Sequence, residues 1–191
     1  LPAIRALCDR YDAVLMVDEA HSVGVIGNRG MGIEEHFDMP PNTIDIKMGT
    51  LSKAIPSNGG YIAASADVCG ILRHTARGLI YSGAPSGITI AAALAGLTLL
   101  KSEPERVQML HKNAVYFKNR LNQLGLNTGN TETAIIPIIC GSSDTTFQMA
   151  KFCQERKLFI HAVPPPVVPY GTARLRASVM ADHTLEDLDY C

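Results

Sequence analysis

The sequence AVLMVDEAH at residues 13–21 joins five apolar residues directly to two carboxylates and a histidine. A short, continuous apolar run of this kind predicts a strand that is buried on both faces of a parallel sheet. In open α/β sheets, ligands bind outside the carboxyl ends of such strands. We therefore expect an α/β fold in which Asp18 lies at the edge where ligands collect.

Strand and helix patterns alternate around this stretch as far as residue 103. Apolar runs predict further strands at residues 43–48, 60–64 and 79–81, and helices over residues 2–10, 65–75 and 86–100. The last of these helices is apolar nearly all round, which predicts that it is buried. This order favours one domain, residues 1–103, built on a mainly parallel sheet.

A different pattern begins near residue 104. Ser102-Glu-Pro-Glu105 fits a capping box, and apolar residues then recur at three- and four-residue steps from Val107 to Leu124, which predicts a long amphipathic helix. Strands are predicted at 134–139, 158–162 and 173–179, with helices at 145–156 and from Thr184 onward. We expect residues 104–191 to form a small α+β domain.

The composition excludes several classes of protein. Lys plus Arg is 17 and Asp plus Glu is 18, so the chain lacks the basic excess of a nucleic-acid-binding surface. A hydrophobic content of 47% predicts a buried core rather than disorder. The longest apolar run, residues 88–100, is shorter than the ~20 residues that span a bilayer, so no transmembrane segment is predicted.

The cysteines, the histidines and the ends of the chain set further limits. The five cysteines form no CxxC pair and are expected to be reduced, which favours an intracellular, cytoplasmic location. Histidines such as His36 and His74 show no ligand spacing, so no metal site is predicted. The chain starts at Leu1 rather than Met and stops within a predicted helix, so we expect a piece of a longer protein.

Two motifs carry candidate chemistry. Asp18 and His21 follow the first strand, and Lys53 lies in GTLSKA, residues 49–54, after the second. A lysine amine among small residues at a strand end can be desolvated and can form a Schiff base, and Thr50 beside it can bind a phosphate group. Pyridoxal phosphate needs such a lysine together with a carboxylate for its ring nitrogen. The alternatives are Asp18 as the cap of the following turn and Lys53 as a solvated loop residue.

The sequence resembles the α-oxoamine synthases, which are pyridoxal-phosphate enzymes of the fold type I aminotransferase superfamily. The resemblance covers nearly the whole chain, in the family's order and spacing. It rests on VDEAHSVGVIG at 17–27, GTLSKA at 49–54, NGGY at 58–61, LIYSG at 79–83 and VPPPVVPYGTARLRASVMADHT at 163–184. Residues 55–58 depart from the glycine-containing stretch that is common after the lysine. The upstream half of the family's catalytic domain is not in this sequence, so we expect residues 1–191 alone to be inactive.

The resemblance implies a role for each residue of the first two motifs. Lys53 matches the lysine that binds the cofactor aldehyde, and Asp18 matches the partner of the pyridine nitrogen. His21 matches the histidine near the phenolic oxygen of the cofactor, and it is a candidate catalytic residue together with Lys53. Thr50 matches a phosphate ligand.

The resemblance also implies substrates and a partner. Ser82 falls where the family reaches the phosphate across a dimer interface, which implies a homodimer with its active site between the subunits. Arg176 matches the arginine that binds the amino-acid carboxylate, and its alternative is a surface-strand arginine. The implied reaction condenses an amino acid with an acyl-CoA, usually with decarboxylation, to give an α-amino ketone.

Two other functions stay open from the sequence. An apolar strand that ends in DEAH also resembles the magnesium-binding motif of helicase-type ATPases. That function leaves GTLSKA, NGGY and ARLR unexplained and lacks a basic face for nucleic acid. The other alternative is a non-catalytic subunit on the same fold, against which the retention of Lys53, Asp18, His21 and Arg176 argues.

Overall fold

The computed structural model describes all residues, 1–191, and they divide into two compact units, Leu1–Val107 and Gln108–Cys191. The sequence prediction had set the boundary between residues 103 and 104. Each unit holds its own three-stranded sheet. None of the helices combines the length and the apolar character that crossing a bilayer requires.

The sheet of the first unit is mixed. Its strands are β1 (Met16–Asp18), β2 (Ile46–Ser52) and β3 (Pro56–Ala64), in that spatial order. β1 runs parallel to β2 with Asp18 opposite Met48, whereas β2 and β3 form an antiparallel hairpin. The predicted α/β class is confirmed, with β1–β2 as the parallel pair. The strand predicted at residues 13–17 and buried on both faces is wrong in bounds and burial, because β1 covers Met16–Asp18 and Met16 is 56% exposed.

Five helices complete the first unit: α1 (Pro2–Arg10), α2 (Ile33–His36), α3 (Ala66–Thr75), α4 (Arg77–Ile80) and α5 (Gly87–Ser102). Serine hydroxyls cap two of them, because Ser65 accepts a hydrogen bond from the backbone of α3 and Ser86 from that of α5. The Arg5 guanidinium of α1 donates to Asp45 at 2.7 Å. The backbone N–H of Leu15 and then Arg5 lower the pKa of Asp45, so this carboxylate ties α1 and β1 to the start of β2.

Two predictions about the end of this unit are wrong. Residues 79–81 were predicted as a strand. Leu79 and Ile80 instead belong to the helix α4, because both donate backbone hydrogen bonds to the carbonyl of Ala76. α5 was predicted to be buried, yet Ala93 is its only buried residue, while Ile88 is 85% and Leu94 65% exposed. An apolar sequence favours burial, but burial also requires a neighbouring surface, and within this unit α5 packs mainly on β3.

Strand β2 extends further than the sequence predicted. Its predicted end was Met48, but pairing with β3 continues through Thr50 opposite Gly60 and resumes at Ser52 opposite Pro56. GTLS holds a single apolar residue, Leu51, so this part of the strand carries little apolar signal and shows itself in its pairing with β3. The consequence is that Lys53 lies at the hairpin turn rather than in a loop after a short strand.

The second unit is a small α+β unit. Its elements are α6 (Glu105–Gln123, which starts in the first unit), β4 (Ile135–Gly141), α7 (Ser143–Glu155), β5 (His161–Val163), β6 (Ala173–Ser178) and α8 (Leu185–Tyr190). The strand order is β4-β6-β5, and both pairings are antiparallel. The core combines apolar residues of α6 with one face of β4 and β6, namely Leu110, Phe117, Leu121, Ile136, Ile138, Leu175 and Ala177.

The two predicted capping boxes have different outcomes. The box at Ser102 is wrong, because Ser102 closes α5 and its hydroxyl donates to the carbonyl of Leu99 at 3.4 Å. The box that opens α8 is confirmed. The Thr184 hydroxyl accepts from the Asp187 backbone at 3.1 Å, and the Asp187 carboxylate accepts from the Thr184 backbone at 2.9 Å.

Candidate active site

Asp18 is the last residue of β1, and its side chain is exposed. Its Oδ1 accepts a hydrogen bond from the backbone N–H of Ala20 at 2.8 Å. Asp18 therefore does cap the following turn, as the simpler interpretation held. Its Oδ2 takes part in no hydrogen bond, so the carboxylate keeps one oxygen for a ligand.

The turn after β1 is compact and places His21 on the surface. The carbonyl of Glu19 accepts hydrogen bonds from the backbones of Ser22 at 3.0 Å and Val23 at 3.2 Å. The backbone N–H of Glu19 donates to Met48 at 2.7 Å, which fastens the turn to β2. Asp18 and His21 thus lie on either side of the Glu19–Ala20 pair, in which Glu19 is anchored at the carboxyl end of the parallel strands.

The β2–β3 hairpin carries the lysine and two hydroxyls. Thr50 Oγ1 and Ser52 Oγ lie 2.9 Å apart, and the Thr50 hydroxyl reaches the carbonyl of Gly59 at 3.3 Å. Lys53 follows at the turn with its amine exposed and engaged in no hydrogen bond or ion pair. The hairpin therefore presents a primary amine directly after Ser52 and three residues after Thr50, the two residues whose hydroxyls pair.

Two glycines allow this hairpin to close. A Cβ at Gly49 would overlap the ring of Tyr61, and a Cβ at Gly60 would lie 2.9 Å from the Gly49 carbonyl oxygen. The register pairs Gly49 with Tyr61, so the ring covers the strand directly before Thr50. In the sequence, NGGY served only as a point of resemblance to the family. The packing of the Tyr61 ring over Gly49 was not predicted.

The remaining predicted residues lie on other elements. Ser82 follows α4, is exposed, and donates its hydroxyl to the carbonyl of Gly78. Arg176 lies on the exposed face of β6 in the second unit, in register with Pro137 and His161. The structure brings Asp18, His21 and the hairpin of Lys53 to the same end of one sheet, and no hydrogen bond or ion pair joins Asp18 to Lys53.

Two buried carboxylates near this sheet edge were missed by the sequence prediction. Glu19 is 3% exposed and accepts the backbone N–H of Ile33 at 3.0 Å. Glu34 accepts the backbone N–H of Ile44 at 2.8 Å and pairs with the Lys47 amine at 2.5 Å. The only sequence signal for Glu19 is its place inside DEAH, and its burial depends on the fold of residues 30–33.

The donors around the site are not grouped as metal ligands. No three His, Cys, Asp or Glu side chains come together in a way that could hold a metal ion. All five cysteines are free. The chemistry available at this edge of the sheet is therefore that of an amine, hydroxyls and a carboxylate.

Comparison with known families decides where this arrangement belongs. The family model described as aminotransferase class I and II matches residues 1–191. The chain belongs to the aminotransferase class I and II family. The fold type I class is thereby confirmed. The matching family and relatives give no support to the helicase-type interpretation of DEAH.

Its relatives include two kinds of named enzyme. The chain is 40% identical over 189 residues to the serine palmitoyltransferase of Sphingobacterium spiritivorum, which covers 99% of the chain and 47% of that relative. It is 40% identical over 190 residues to the 8-amino-7-oxononanoate synthase of Thermosipho melanesiensis, and this match covers 100% of the chain and 48% of that relative. These relatives confirm the resemblance to the α-oxoamine synthases.

A solved structure agrees with the fold of this aminotransferase-family chain. It is described as SPT with PLP internal aldimine, superposes with a TM-score of 0.91 at 26% identity, and covers 97% of the chain and 47% of the solved one. The chain spans about half the length of the curated relatives it matches.

Proposed function

We propose that the complete protein is a pyridoxal-phosphate-dependent C-acyltransferase that condenses an amino acid with an acyl-CoA to an α-amino ketone. The observation that carries this proposal is the unpaired Lys53 amine beside the Thr50 and Ser52 hydroxyls, at the same end of the sheet as Asp18. The names of the relatives, a serine palmitoyltransferase and an oxononanoate synthase, support the acyl-transfer class.

The donor set of the first unit fits pyridoxal phosphate. Lys53 offers a primary amine for the aldehyde, Thr50 offers a hydroxyl for the phosphate, and Asp18 offers Oδ2 for the protonated ring nitrogen. Binding breaks no ion pair, because the Lys53 amine has none. When bound, the cofactor supplies an electron sink for negative charge at the amino-acid α-carbon.

The chain's own residues would then bind and move protons. Lys53 would hold the cofactor through Nζ, and its free amine would take the α-proton of the amino acid onto the same atom. Asp18 holds a proton on the ring nitrogen through charge attraction. His21 donates a hydrogen bond to the phenolic oxygen and to the acyl carbonyl, and Thr50 donates one to the phosphate.

Arg176 would bind the amino-acid carboxylate. A planar guanidinium suits this task because its two parallel N–H groups match the two carboxylate oxygens. The new bond joins the amino-acid α-carbon to the acyl carbon, while the thioester C–S bond breaks and CoA leaves as its thiol. Where the carboxylate is lost as carbon dioxide, a proton replaces it at the α-carbon.

We also propose a homodimer and a cytoplasmic location. Ser82 would reach the phosphate of the partner's cofactor, which its exposed position after α4 supports. Five free cysteines support a reducing compartment. Sedimentation of the complete protein tests the dimer, and a monomer that is fully active would contradict the role of Ser82.

The reaction is tested with the complete protein in two steps. Amino acids are screened for the one that shifts the absorption of the bound cofactor, and acyl-CoA thioesters are then screened for release of free CoA. We expect one amino acid and one acyl class to act together, and the Arg176→Lys variant to require a higher amino-acid concentration. Cofactor binding without any CoA release would favour a non-catalytic subunit, and no cofactor binding would overturn the proposal.

A further inference from the structure

We propose that Glu19 is a positioning residue that fixes Asp18 and His21 for the cofactor, an inference that rests on the proposed function. Glu19 stands between these two residues in the sequence, but its side chain turns to the interior while theirs are exposed. It touches no predicted substrate position itself. Its action is to hold the turn on which the two site residues stand.

The backbone of Glu19 is the centre of that turn. Its carbonyl accepts the two backbone hydrogen bonds from Ser22 and Val23, and its N–H donates to Met48 on β2 at 2.7 Å. The turn therefore closes on Glu19 and is attached to the sheet through it. A rotation or shift of Glu19 moves the preceding Asp18 and the following His21 together.

The side chain adds an anchor on a second segment. Oε2 accepts the backbone N–H of Ile33 at 3.0 Å, and a Cβ at Gly32, where φ is +99°, would overlap the same oxygen. A carboxylate that is 3% exposed is costly to bury unless such contacts stabilise it. The missing side chain of Gly32 therefore leaves room for the Glu19 carboxylate, and the hydrogen bond from Ile33 fixes its position.

The segment that Glu19 contacts also borders a cavity. This cavity of about 330 Å³ is lined by Glu19 together with Val23, Met31, Tyr61 and Leu97. Backbone hydrogen bonds from Gly24 to Gly30 at 2.8 Å and from Gly32 to Ile26 at 3.0 Å also hold this segment, and the Glu19–Ile33 hydrogen bond adds its link to the turn after β1. Burial, followed by the negative charge of Glu19, raises the pKa of Tyr61, which lines the same cavity.

The first test measures amide hydrogen exchange in the complete protein without cofactor. In Glu19→Ala, the Ser22 and Val23 amides should exchange ~10-fold faster or more, as should Ile33, because one hydrogen bond to a charged acceptor is lost. Glu19→Gln keeps an acceptor oxygen and should restore protection. If only Ile33 loses protection, the Glu19 side chain holds residues 30–33 but not the turn after β1, and the proposal is overturned.

The second test measures pyridoxal-phosphate affinity of the same proteins, with Glu34→Ala as the matched control. Glu34 is also buried and accepts a backbone N–H, but that N–H belongs to Ile44, and the Glu34 carboxylate makes no hydrogen bond to residues 18–23. We expect ~10-fold weaker binding in Glu19→Ala, recovery in Glu19→Gln, and unchanged binding in Glu34→Ala despite a lower melting temperature. Equal losses of cofactor affinity in both alanine variants would show that Glu19 contributes only to the overall stability of the protein. Wild-type protein that binds no cofactor would refute the proposed function instead, while the exchange test would still decide the role of Glu19.

Discussion

Asp18 uses one carboxylate oxygen for its own turn and keeps the other for a ligand. The turn-cap and cofactor interpretations of this residue are therefore compatible, since they use different oxygens. Lys53 differs from Asp18, because its amine makes no hydrogen bond or ion pair within the chain. At this scale Asp18 is held by the backbone, Thr50 and Ser52 are held by each other, and the Lys53 amine is held by neither.

Asp18→Asn separates the two uses of this side chain. The amide oxygen can still accept from Ala20, so the melting temperature should stay within the small range of a surface substitution. The charge on the ring-nitrogen partner is lost, so we expect ~10- to 100-fold lower pyridoxal-phosphate affinity, together with lower turnover. Asp38→Asn on the exposed surface is the control, and a variant that binds cofactor like wild type would contradict the assigned role.

Among the elements, α8 depends most clearly on its first turn. Hydrogen bonds from the Thr184 backbone and then its hydroxyl lower the pKa of Asp187 below its usual 3.8. A lowered pKa means that the contribution to stability is present above pH 3.8 and is lost as pH falls through the lowered value.

Asp187→Asn should therefore lower the melting temperature at pH 7, and the difference from wild type should shrink as the pH falls below 3.8. Thermal unfolding monitored by circular dichroism at several pH values measures this. Glu186→Gln in the same turn is the control and should change little at any pH. A difference that is equal at neutral and acid pH would show that the carboxylate charge does not matter.

Strand β6 has one buried face and one exposed face. Leu175 is 1% exposed, so Leu175→Ala should reduce the free energy of unfolding by ~2–5 kcal/mol. Ser178→Ala on the exposed face should stay within ~0.5 kcal/mol of wild type. Urea unfolding of both variants checks the orientation of the strand, and similar losses in both would contradict the register of β4 and β6.

Some elements follow from local sequence and others do not. The Thr184 cap and the alternation of β6 were predicted correctly because their signals lie within a few residues, whereas the predicted burial of β1 on both faces was wrong, since Met16 is 56% exposed. The exposure of α5 and the length of β2 were not, since they depend on which surface packs on Leu94 and on pairing with β3. The burial of Glu19 was missed for the same reason, because Ile33 lies 14 residues away.

At the scale of the whole molecule, the chain is two compact units that match about half of each named relative. The first unit carries the proposed cofactor residues, and the second carries Arg176. The near-neutral charge agrees with small-molecule substrates rather than nucleic acid. The central claim is that Lys53 binds pyridoxal phosphate.

Borohydride reduction of the complete protein with pyridoxal phosphate, followed by peptide mass spectrometry, tests that claim most directly. The account predicts a pyridoxyl-phosphate group on Lys53 and none in Lys53→Ala, which should fold because the side chain is exposed. Lys47 lies on β2, the strand that precedes the turn of Lys53, and is paired with Glu34, so it serves as an internal control and should stay unmodified. Labelling of Lys47 in place of Lys53, or of neither lysine, would contradict the account.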